Sequence, residues 1–465
     1  MSAILNRRNF IKGGMMATGA VAGSGCASLP QGASSGGRFY KGQFHTHTWW
    51  SDGRAAPEQA VAFYKERGYD FLGLTDHNVY ARGIRSKKLK KDNVNDMAIL
   101  DAYRRDFPKS AVVKENQNGE FEVELKTVAQ LREMFEESGK FVLLDGVEGT
   151  TRVQNAAGVV NQVHMSYLNV PQVPEYFRKC GTDCTVAKRI AEAHKAVADA
   201  AKRFGREEMF ILNHPIWTWY DVLAEDLIAN PEVRFFEVCN GGSPYAPGRG
   251  VLKNGMDNDI FWDVVNAFRA RRGQSLLYGV GTDDSHHYFG TRDYVPAVHC
   301  ITQNAWCKVR SKELSQPALI SAMAAGDFAA CEGVEPEDFS FDPSTGTLEV
   351  SVAGAKDVCR TIEFVVSKKD FSEKPVKTLE ILPPDAPADR KSRFRRKVNL
   401  YGKGIGQVVK SVTGMLGDSV RASYRMEPDD LYVRARIKSP EHPRARAYQH
   451  PKCLMAWTQP YLNVK

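Results

Sequence analysis

The chain has 465 residues, of which 43% are hydrophobic and 25% charged, with a formal net charge of +8. This composition excludes a disordered chain and a polytopic membrane protein. The length exceeds what one hydrophobic core usually organises, so we expect two domains. The densest basic runs, residues 85–91 and 390–397, are interpreted as solvated loops, and no nucleic acid is expected as a structural partner.

Residues 1–30 predict an export signal. The run from Arg7 to Lys12 (RRNFIK) resembles a twin-arginine motif, and the weakly apolar run from Gly13 to Gly25 is too short to span a bilayer. We therefore expect the twin-arginine export machinery as a partner and a location in the periplasm or elsewhere outside the cytoplasmic membrane. A lipid anchor at Cys26 is the minority alternative, because the aliphatic residue usual three positions earlier is absent. Residues 31–37 form a Gly/Ser-rich spacer.

Between Phe39 and about Gly333, short apolar runs alternate with amphipathic stretches, which is typical of repeated β/α units. Strands are predicted at 39–47, 71–75, 141–147, 163–170, 210–213, 234–238 and 276–281, and helices at 57–67, 127–138, 186–204 and 260–271. This order predicts an α/β fold with a parallel barrel over residues 38–333. A charged insertion at about 79–140 is either a wall or lid of a site or an inert surface excursion.

The sequence changes character after Pro336. Partly alternating β-rich runs at 347–352, 361–366, 431–438 and 445–464 are separated by Pro, Gly and Asp. They predict a small C-terminal β-sandwich domain, residues 336–465, that packs on the barrel.

Histidines and carboxylates follow almost every predicted barrel strand. His45 and His47 close the first strand, where side chains two residues apart point to the same face. The remaining candidates are Asp52 in SDG, His77 in TDHN, Glu148 in GVE, His164 in VHM, His214 in NHP, and Asp284 and His286 in DSH. Catalytic residues of β/α barrels gather at the C-terminal ends of the strands, so these nine side chains are expected to meet.

The succession HxH, SDG, TDHN, GxE, an isolated His, NHP and DxH resembles the polymerase and histidinol phosphatase (PHP) family of metallohydrolases, over residues 39–333. The resemblance implies a distorted, TIM-like (β/α)7 barrel and three divalent ions. It also implies that His45, His47 and Asp284 hold the first ion, His164 and His214 the second, and Asp52, His77 and His286 the third.

Nine nitrogen and oxygen ligands are too many for one tetrahedral ion but suit three ions with waters and one bridging carboxylate, for which Glu148 is the best candidate. A ligand set without thiolate is compatible with Zn, Mn or Fe. Bound ions lower the pKa of a bridging water, so that hydroxide forms near neutral pH. Glu148, Asp284 and His286 are the predicted catalytic residues.

Several neighbouring residues carry weaker predictions. Asp76 and Asp283 are expected to point away from the ions, because adjacent residues on an extended segment face opposite ways. Arg54 and Arg292 are candidate clamps for phosphate oxygens, although either also fits a solvated arginine. Glu237 ends another strand and is expected to contact substrate or to orient a ligand. The aromatic residues Trp49, Trp50, Trp217, Trp219 and Tyr220 either line a ring-binding pocket or pack in the core.

These patterns favour hydrolysis of a small-molecule phosphomonoester or phosphodiester through a metal-bridging hydroxide. Two alternatives stay open. One branch of the same family, which includes carbaryl-hydrolase-like members, cleaves carboxylic or carbamate esters with similar motifs. A non-catalytic reading treats the site as a metal store and the sandwich as a binding module.

Overall fold

The computed structural model describes residues 36–154, 159–172, 184–217, 220–242, 256–288, 303–382, 395–440 and 453–464. The predicted export signal, Cys26, Trp219 and Arg292 lie outside these ranges. Among the described helices, none is long and apolar enough to cross a membrane.

In the described residues up to Glu332, strands alternate with seven helices. The strands are β1 (Arg38–Gln43), β2 (Phe71–Leu74), β3 (Ser86–Lys90), β4 (Val113–Glu115), β5 (Glu120–Glu124), β6 (Val142–Gln154), β7 (Val160–Leu168), β8 (Met209–Leu212), β9 (Phe235–Asn240), β10 (Tyr278–Thr282), β11 (Trp306–Ser311) and β12 (Phe328–Glu332). The helices are α1 (Pro57–Glu66), α2 (Val94–Asp106), α3 (Val128–Phe135), α4 (Val186–Arg203), α5 (Ala224–Ile228), α6 (Asn258–Arg271) and α7 (Gln316–Ala324).

Only strands follow in the C-terminal part that the structure describes. They are β13 (Asp338–Asp342), β14 (Thr347–Val352), β15 (Thr361–Lys368), β16 (Lys377–Ile381), β17 (Arg396–Leu400), β18 (Gln407–Thr413), β19 (Val420–Arg425), β20 (Asp430–Ser439), β21 (Leu454–Thr458) and β22 (Tyr461–Leu462).

One large mixed sheet runs through both parts of the chain. Its strand order is β10-β9-β8-β7-β6-β2-β1-β11-β12-β21-β20-β15-β18, with β22 paired to β20. The fold class is therefore mixed α/β around a large central sheet, as the alternation of strands and helices predicted.

The predicted parallel barrel is not confirmed, because the described strands form no closed sheet and run in one open order from β10 to β18. The pairs β6–β7, β7–β8 and β1–β11 are antiparallel. Only five residues separate Gln154 from Val160, whereas a parallel pair needs a crossover of about a dozen residues or more. The sheet nevertheless curls, since a Cβ on Gly281 of β10 would lie 2.6 Å from the carbonyl oxygen of Trp306 on β11.

The insertion folds as a separate three-stranded antiparallel sheet, β3-β5-β4, accompanied by α2. It packs against the segment that follows β1. The indole of Trp50 donates to the carbonyl of Lys126 (2.9 Å), and the hydroxyl of Tyr103 donates to Glu58 of α1 (2.7 Å). These contacts make the insertion a wall beside the residues that follow β1.

The C-terminal strands form two facing layers. The sheet β13-β14-β19 packs against β15 and β20 of the large sheet, and its buried side chains Phe339 and Leu348 belong to the same apolar cluster as Phe364 and Val433. Burial of these apolar faces stabilises the two-layer arrangement. Because β21 also pairs with β12, one layer of this sandwich is continuous with the sheet of the first part.

Helix α6 joins the two parts of the chain through a buried ion network. Arg434 of β20 is fully buried and donates to both carboxylate oxygens of Asp263 (2.8 and 2.5 Å). The same guanidinium lies 3.0 Å from Asp259, which also accepts from the indole of Trp457 (2.9 Å). A bidentate arginine–carboxylate pair fixes geometry as well as charge.

We expect Arg434→Leu to lower the free energy of unfolding by about 3–5 kcal/mol, because it leaves the buried carboxylate of Asp263 without its cation. Urea denaturation followed by circular dichroism measures this change. Arg421→Leu, at an exposed position of β19, is the matched control and should change it by less than about 0.5 kcal/mol. An equal, small effect of both variants would show that the ion network does not stabilise the fold.

Candidate metal centre

The segments that follow β1 and β10 are joined by their backbones. Thr46 and Ser285 form a parallel bridge, and the amide of His47 donates to the carbonyl of Ser285 (2.9 Å). This pairing brings the side chains of residues 45 and 47 to those of residues 284 and 286. A similar bridge joins His77 to Glu148 beyond β2 and within β6.

Glu148 is fully buried at the centre of the histidines. Its Oε1 lies 3.3 Å from His45 Nε2, 3.1 Å from His164 Nδ1 and 3.5 Å from His214 Nε2, and its Oε2 lies 3.3 Å from His47 Nε2 and 2.7 Å from His77 Nδ1. One carboxylate therefore reaches five imidazoles, which is the arrangement expected of a bridging ligand.

His45, His47 and Asp284 form the deepest group. The Nε2 atoms of the two histidines are 3.1 Å apart, and Asp284 Oδ1 lies 3.3 Å from the first and 3.2 Å from the second. All three residues are buried. These are the three residues that the resemblance assigns to the first ion.

Asp52, His77 and His286 form a more exposed group, which His47 also joins. Asp52 lies 3.4 Å from His286 Nε2 and 3.7 Å from His77 Nε2, and 58% of its side chain is exposed. The site therefore opens to solvent on the side of this group.

The pair assigned to the second ion is arranged differently from the other two groups. The rings of His164 and His214 meet edge to face, with centroids 4.9 Å apart. His164 forms its tightest group with His77 and Glu148, whereas His214 lies outside that group, 3.9 Å from Asp284 Oδ2. All nine candidate ligands thus come together, with His77 and His47 each shared between groups.

The donor set fits divalent cations better than it fits a purely internal network. Among the described atoms, the buried His164 Nε2 has no hydrogen-bond partner. Burial and then the charge of His286 lower the pKa of His47 to about 3, so its ring is neutral at physiological pH. Neutral imidazoles and ionised carboxylates are the protonation states that metal binding requires.

Protons and metal ions compete for this cluster. Although burial opposes it, the hydrogen bond and charge of Asp52 raise the pKa of His286 to about 9. Burial likewise opposes ionisation of Glu148 and Asp284, yet the charge of His45 holds the pKa of both carboxyls well below its usual range. The buried carboxylates are therefore stable in their ionised form only beside positive charge, which comes either from protonated histidines or from metal ions.

Glu237 orients His45. Its Oε1 accepts from His45 Nδ1 and from the hydroxyl of Thr282, both at 2.6 Å, and its Oε2 accepts from the amide of His214 (2.7 Å) and from the side chain of Asn240 (2.8 Å). A fully buried carboxylate cannot reach substrate, so of the two roles predicted for Glu237 the structure favours orientation. It directs the Nε2 lone pair of His45 into the cluster.

Asp76 and Asp283 point away from the cluster, as their positions beside His77 and Asp284 predict. Asp76 accepts from the amide (2.7 Å) and hydroxyl (2.8 Å) of Thr48 and thereby fixes the loop after β1. Asp283 accepts hydrogen bonds from the backbone amides of residues 303–305, and burial raises its pKa to about 6.

The backbone at Asp284 is strained. Its φ of +51° places a non-glycine residue in the left-handed region, which costs on the order of 1 kcal/mol or more. This conformation directs the Asp284 carboxylate toward His45 and His47 while its neighbour Asp283 faces the opposite way.

Sequence patterns did not single out two further contacts of the ligands. The side chain of Asn213 donates to Glu148 Oε1 (2.8 Å), and Thr150 Oγ1 lies 2.7 Å from His77 Nδ1. Their signals were present, since Asn213 precedes His214 and Thr150 follows Glu148 by two residues on the same strand face.

The aromatic and basic candidates divide between the site and the core. The half-buried ring of Trp217 lies beside His164 and His214, at 5.6 and 5.2 Å between centroids. Tyr220 is buried and donates to the carbonyl of Met256 (2.5 Å), and Trp49 and Trp50 are likewise packed in the core. Arg54 is exposed beside the site, and its amide donates to the carbonyl of His286 (2.7 Å).

Comparison with known proteins yields no matching family model and no matching curated protein. Solved structures that resemble the chain include a two-domain protein from Bacteroides vulgatus containing a predicted PHP-like metal-dependent phosphoesterase (15% identity, 93% of this chain and 96% of that chain, TM-score 0.38). A protein from Bifidobacterium adolescentis, assigned as a metal-dependent phosphoesterase, is 13% identical over 61% of this chain and 96% of that chain (TM-score 0.30).

A third structure is an amidohydrolase from Chromobacterium violaceum with bound sulfate and no metal (14% identity, 53% of this chain and 87% of that chain, TM-score 0.24). All three TM-scores lie below 0.5, so the functional interpretation rests on the candidate metal ligands and not on these structural similarities.

Proposed function

We propose that the chain is a metal-dependent hydrolase that cleaves a phosphomonoester or phosphodiester. The observation that supports this proposal is the convergence of nine imidazole and carboxylate side chains, with the buried Glu148 at their centre. A cluster of this composition, partly open to solvent, is typical of catalytic metal sites that keep open coordination positions.

Three divalent ions are proposed, held by the groups described above with Glu148 between them. When bound, such ions supply Lewis acidity and lower the pKa of coordinated water. The protein's part is positional. Glu237 fixes His45 by a hydrogen bond of 2.6 Å, and Asn213 fixes Glu148 by one of 2.8 Å. Substrate enters from the solvent-exposed side of the site, beside Asp52.

The export route and the division into domains are also proposed, on the basis of the sequence. Residues 1–30 are proposed to direct export by the twin-arginine route, which would place the substrate outside the cytoplasm. Residues 38–333 and 336–465 are proposed as the catalytic and sandwich domains.

A carboxylic or carbamate ester is the second candidate substrate class. The half-buried Trp217 beside His164 and His214 favours it, because an aromatic wall at the ligands suits a substrate that carries a ring. A non-catalytic metal store is disfavoured, because structural metal sites are closed and this site exposes Asp52.

Metal analysis of purified full-length protein, with a screen of phosphomonoesters, phosphodiesters and carboxyl esters, tests the proposal. We expect two to three transition-metal ions per chain and hydrolysis of phosphoesters. Cleavage of carboxyl esters alone would favour the second candidate. A metal-loaded protein without hydrolytic activity would overturn the proposal in favour of a metal store.

We expect Glu148→Gln to lower kcat/KM by more than about 100-fold, because an amide cannot supply the bridging charge at the centre of the cluster. Steady-state kinetics and the metal content of the variant measure the effect. Glu133→Gln, at an exposed position of α3, is the control and should retain full activity. Full activity of Glu148→Gln would show that Glu148 does not hold the ions.

For Glu237→Gln we expect a loss of metal affinity of about 10–100-fold, the range typical of a residue that orients a ligand. The amide retains the shape of the side chain but removes the negative charge of the group that accepts a hydrogen bond from His45 Nδ1. Competition with a fluorescent chelator measures the affinity, and the exposed Glu207→Gln serves as the reference. An unchanged affinity would mean that the hydrogen bond to His45 is dispensable.

Added metal should raise the Tm of chelator-treated protein, since a ligand at about 100 times its Kd stabilises the folded state by about 2.7 kcal/mol. Differential scanning fluorimetry at several pH values measures this. The stabilisation should shrink as pH falls from about 8 to 5, because protons compete for the imidazoles. Equal stabilisation of the Glu148→Gln variant would indicate that the metal binds elsewhere.

A further inference from the structure

The insertion carries a lysine to the open edge of the metal centre. Lys87 lies on β3 and is half-buried, and its Nζ donates to the carbonyl of Ser51 (3.3 Å), the residue before Asp52. The contact between Trp50 and Lys126 holds the insertion against the same loop. The position of Lys87 beside the loop is therefore fixed by the packing of the insertion as well as by the contact of its own side chain.

Arg54 lies on the same side of the site, two residues after Asp52. Its amide donates to His286, which fixes its backbone, while its side chain is exposed. Burial and then the charge of Arg54 lower the pKa of Lys87. Arg54 lies three residues after Ser51, in a loop closed by the hydrogen bond from the amide of Trp49 to the carbonyl of Ala55 (2.8 Å), so the two cationic residues lie beside the same loop.

Neither cation forms a direct ion pair with a carboxylate in the part of the chain that the structure describes. The ion pairs of Asp52 are with His47, His77 and His286, at 3.8, 3.7 and 3.4 Å, and the described ion pairs include none of Arg54 or Lys87. The carboxylates of Asp52 and Asp96 act on the charge of Lys87 from beyond ion-pair distance, so both cations remain available to pair directly with a bound anion.

The cations lie outside the ring of ligands. Lys87 reaches the loop at Ser51, and Asp52 stands between it and the histidines at residues 47, 77 and 286. An ester group bound at the ligands therefore leaves Arg54 and Lys87 free for a different part of the same molecule. Ammonium and guanidinium groups bind phosphate and carboxylate oxygens through charge-assisted hydrogen bonds.

We propose that Arg54 and Lys87 form an anion-binding subsite that selects substrates carrying a second anionic group, a phosphate or a carboxylate, beyond the ester that is cleaved. The proposal rests on the proposed function for the identity of the cleaved ester. It assigns the insertion a part in substrate selection, in addition to its packing against the loop after β1.

Binding of two phosphonates to the metal-loaded, full-length protein tests the subsite without requiring hydrolysis. Methylphosphonate carries one anionic group, and phosphonoacetate adds a carboxylate. By isothermal titration, we expect Lys87→Gln and Arg54→Gln each to weaken phosphonoacetate binding about tenfold, the value of one lost charge-assisted hydrogen bond. Affinity for methylphosphonate should change by less than about twofold.

Lys90→Gln is the matched control, because Lys90 is exposed on the opposite face of the same strand, and it should bind both phosphonates as the unaltered protein does. Lys87→Arg should restore binding of phosphonoacetate. Equal weakening of both phosphonates would overturn the proposal, since it would show that Lys87 acts only by holding the loop at Ser51. Unchanged binding in both variants would also overturn it.

The outcome is separate from that of the proposed function. A protein that binds phosphonoacetate through Lys87 but hydrolyses no phosphoester would contradict the proposed reaction and retain the subsite. A protein that hydrolyses simple phosphomonoesters, with the two phosphonates bound equally well, would retain the reaction and contradict the subsite.

Discussion

A buried carboxylate without a counter-charge is among the most costly features that a protein can contain, and Glu148 is fully buried. Five imidazoles from four further segments of the chain reach its two oxygens. The segments that follow β1, β2 and β8 must therefore meet β7 at one place for the carboxylate to be tolerated. The curl of the sheet brings these segments together, and the backbone bridges Thr46–Ser285 and His77–Glu148 fix their relative positions.

The second part of the chain takes part in this arrangement. Arg434 on β20 fixes Asp263 of α6, and at the start of the same helix the side chain of Asn258 donates to the carbonyl of Glu237 (3.3 Å). Glu237 in turn accepts from His45. Helix α6 and its hydrogen bonds thus link the C-terminal strands to Glu237 and the candidate ligands, which is consistent with the single sheet that passes through both parts.

Local pattern was sufficient to predict most strands and helices and the nine residues that meet. The apolar run of β2 and the capped, amphipathic α4 are examples, since each is defined by its own periodicity. Pairing direction was not predictable in the same way. The segment 148–154 continues β6 beyond the predicted strand end, and this extension makes β6–β7 a hairpin. The role of Glu237 also depended on contacts between distant residues, which strand periodicity does not encode.

His47 belongs both to the deep group with His45 and Asp284 and to the exposed group with Asp52, His77 and His286. A neutral imidazole has a single lone pair, and His47 directs Nε2 toward Asp284 and Nδ1 toward Asp52. When that lone pair serves the deep group, the exposed group is left with Asp52, His77 and His286 alone. A cation held there would have three protein side chains as ligands, and water or an oxygen atom of a bound molecule would have to supply the others.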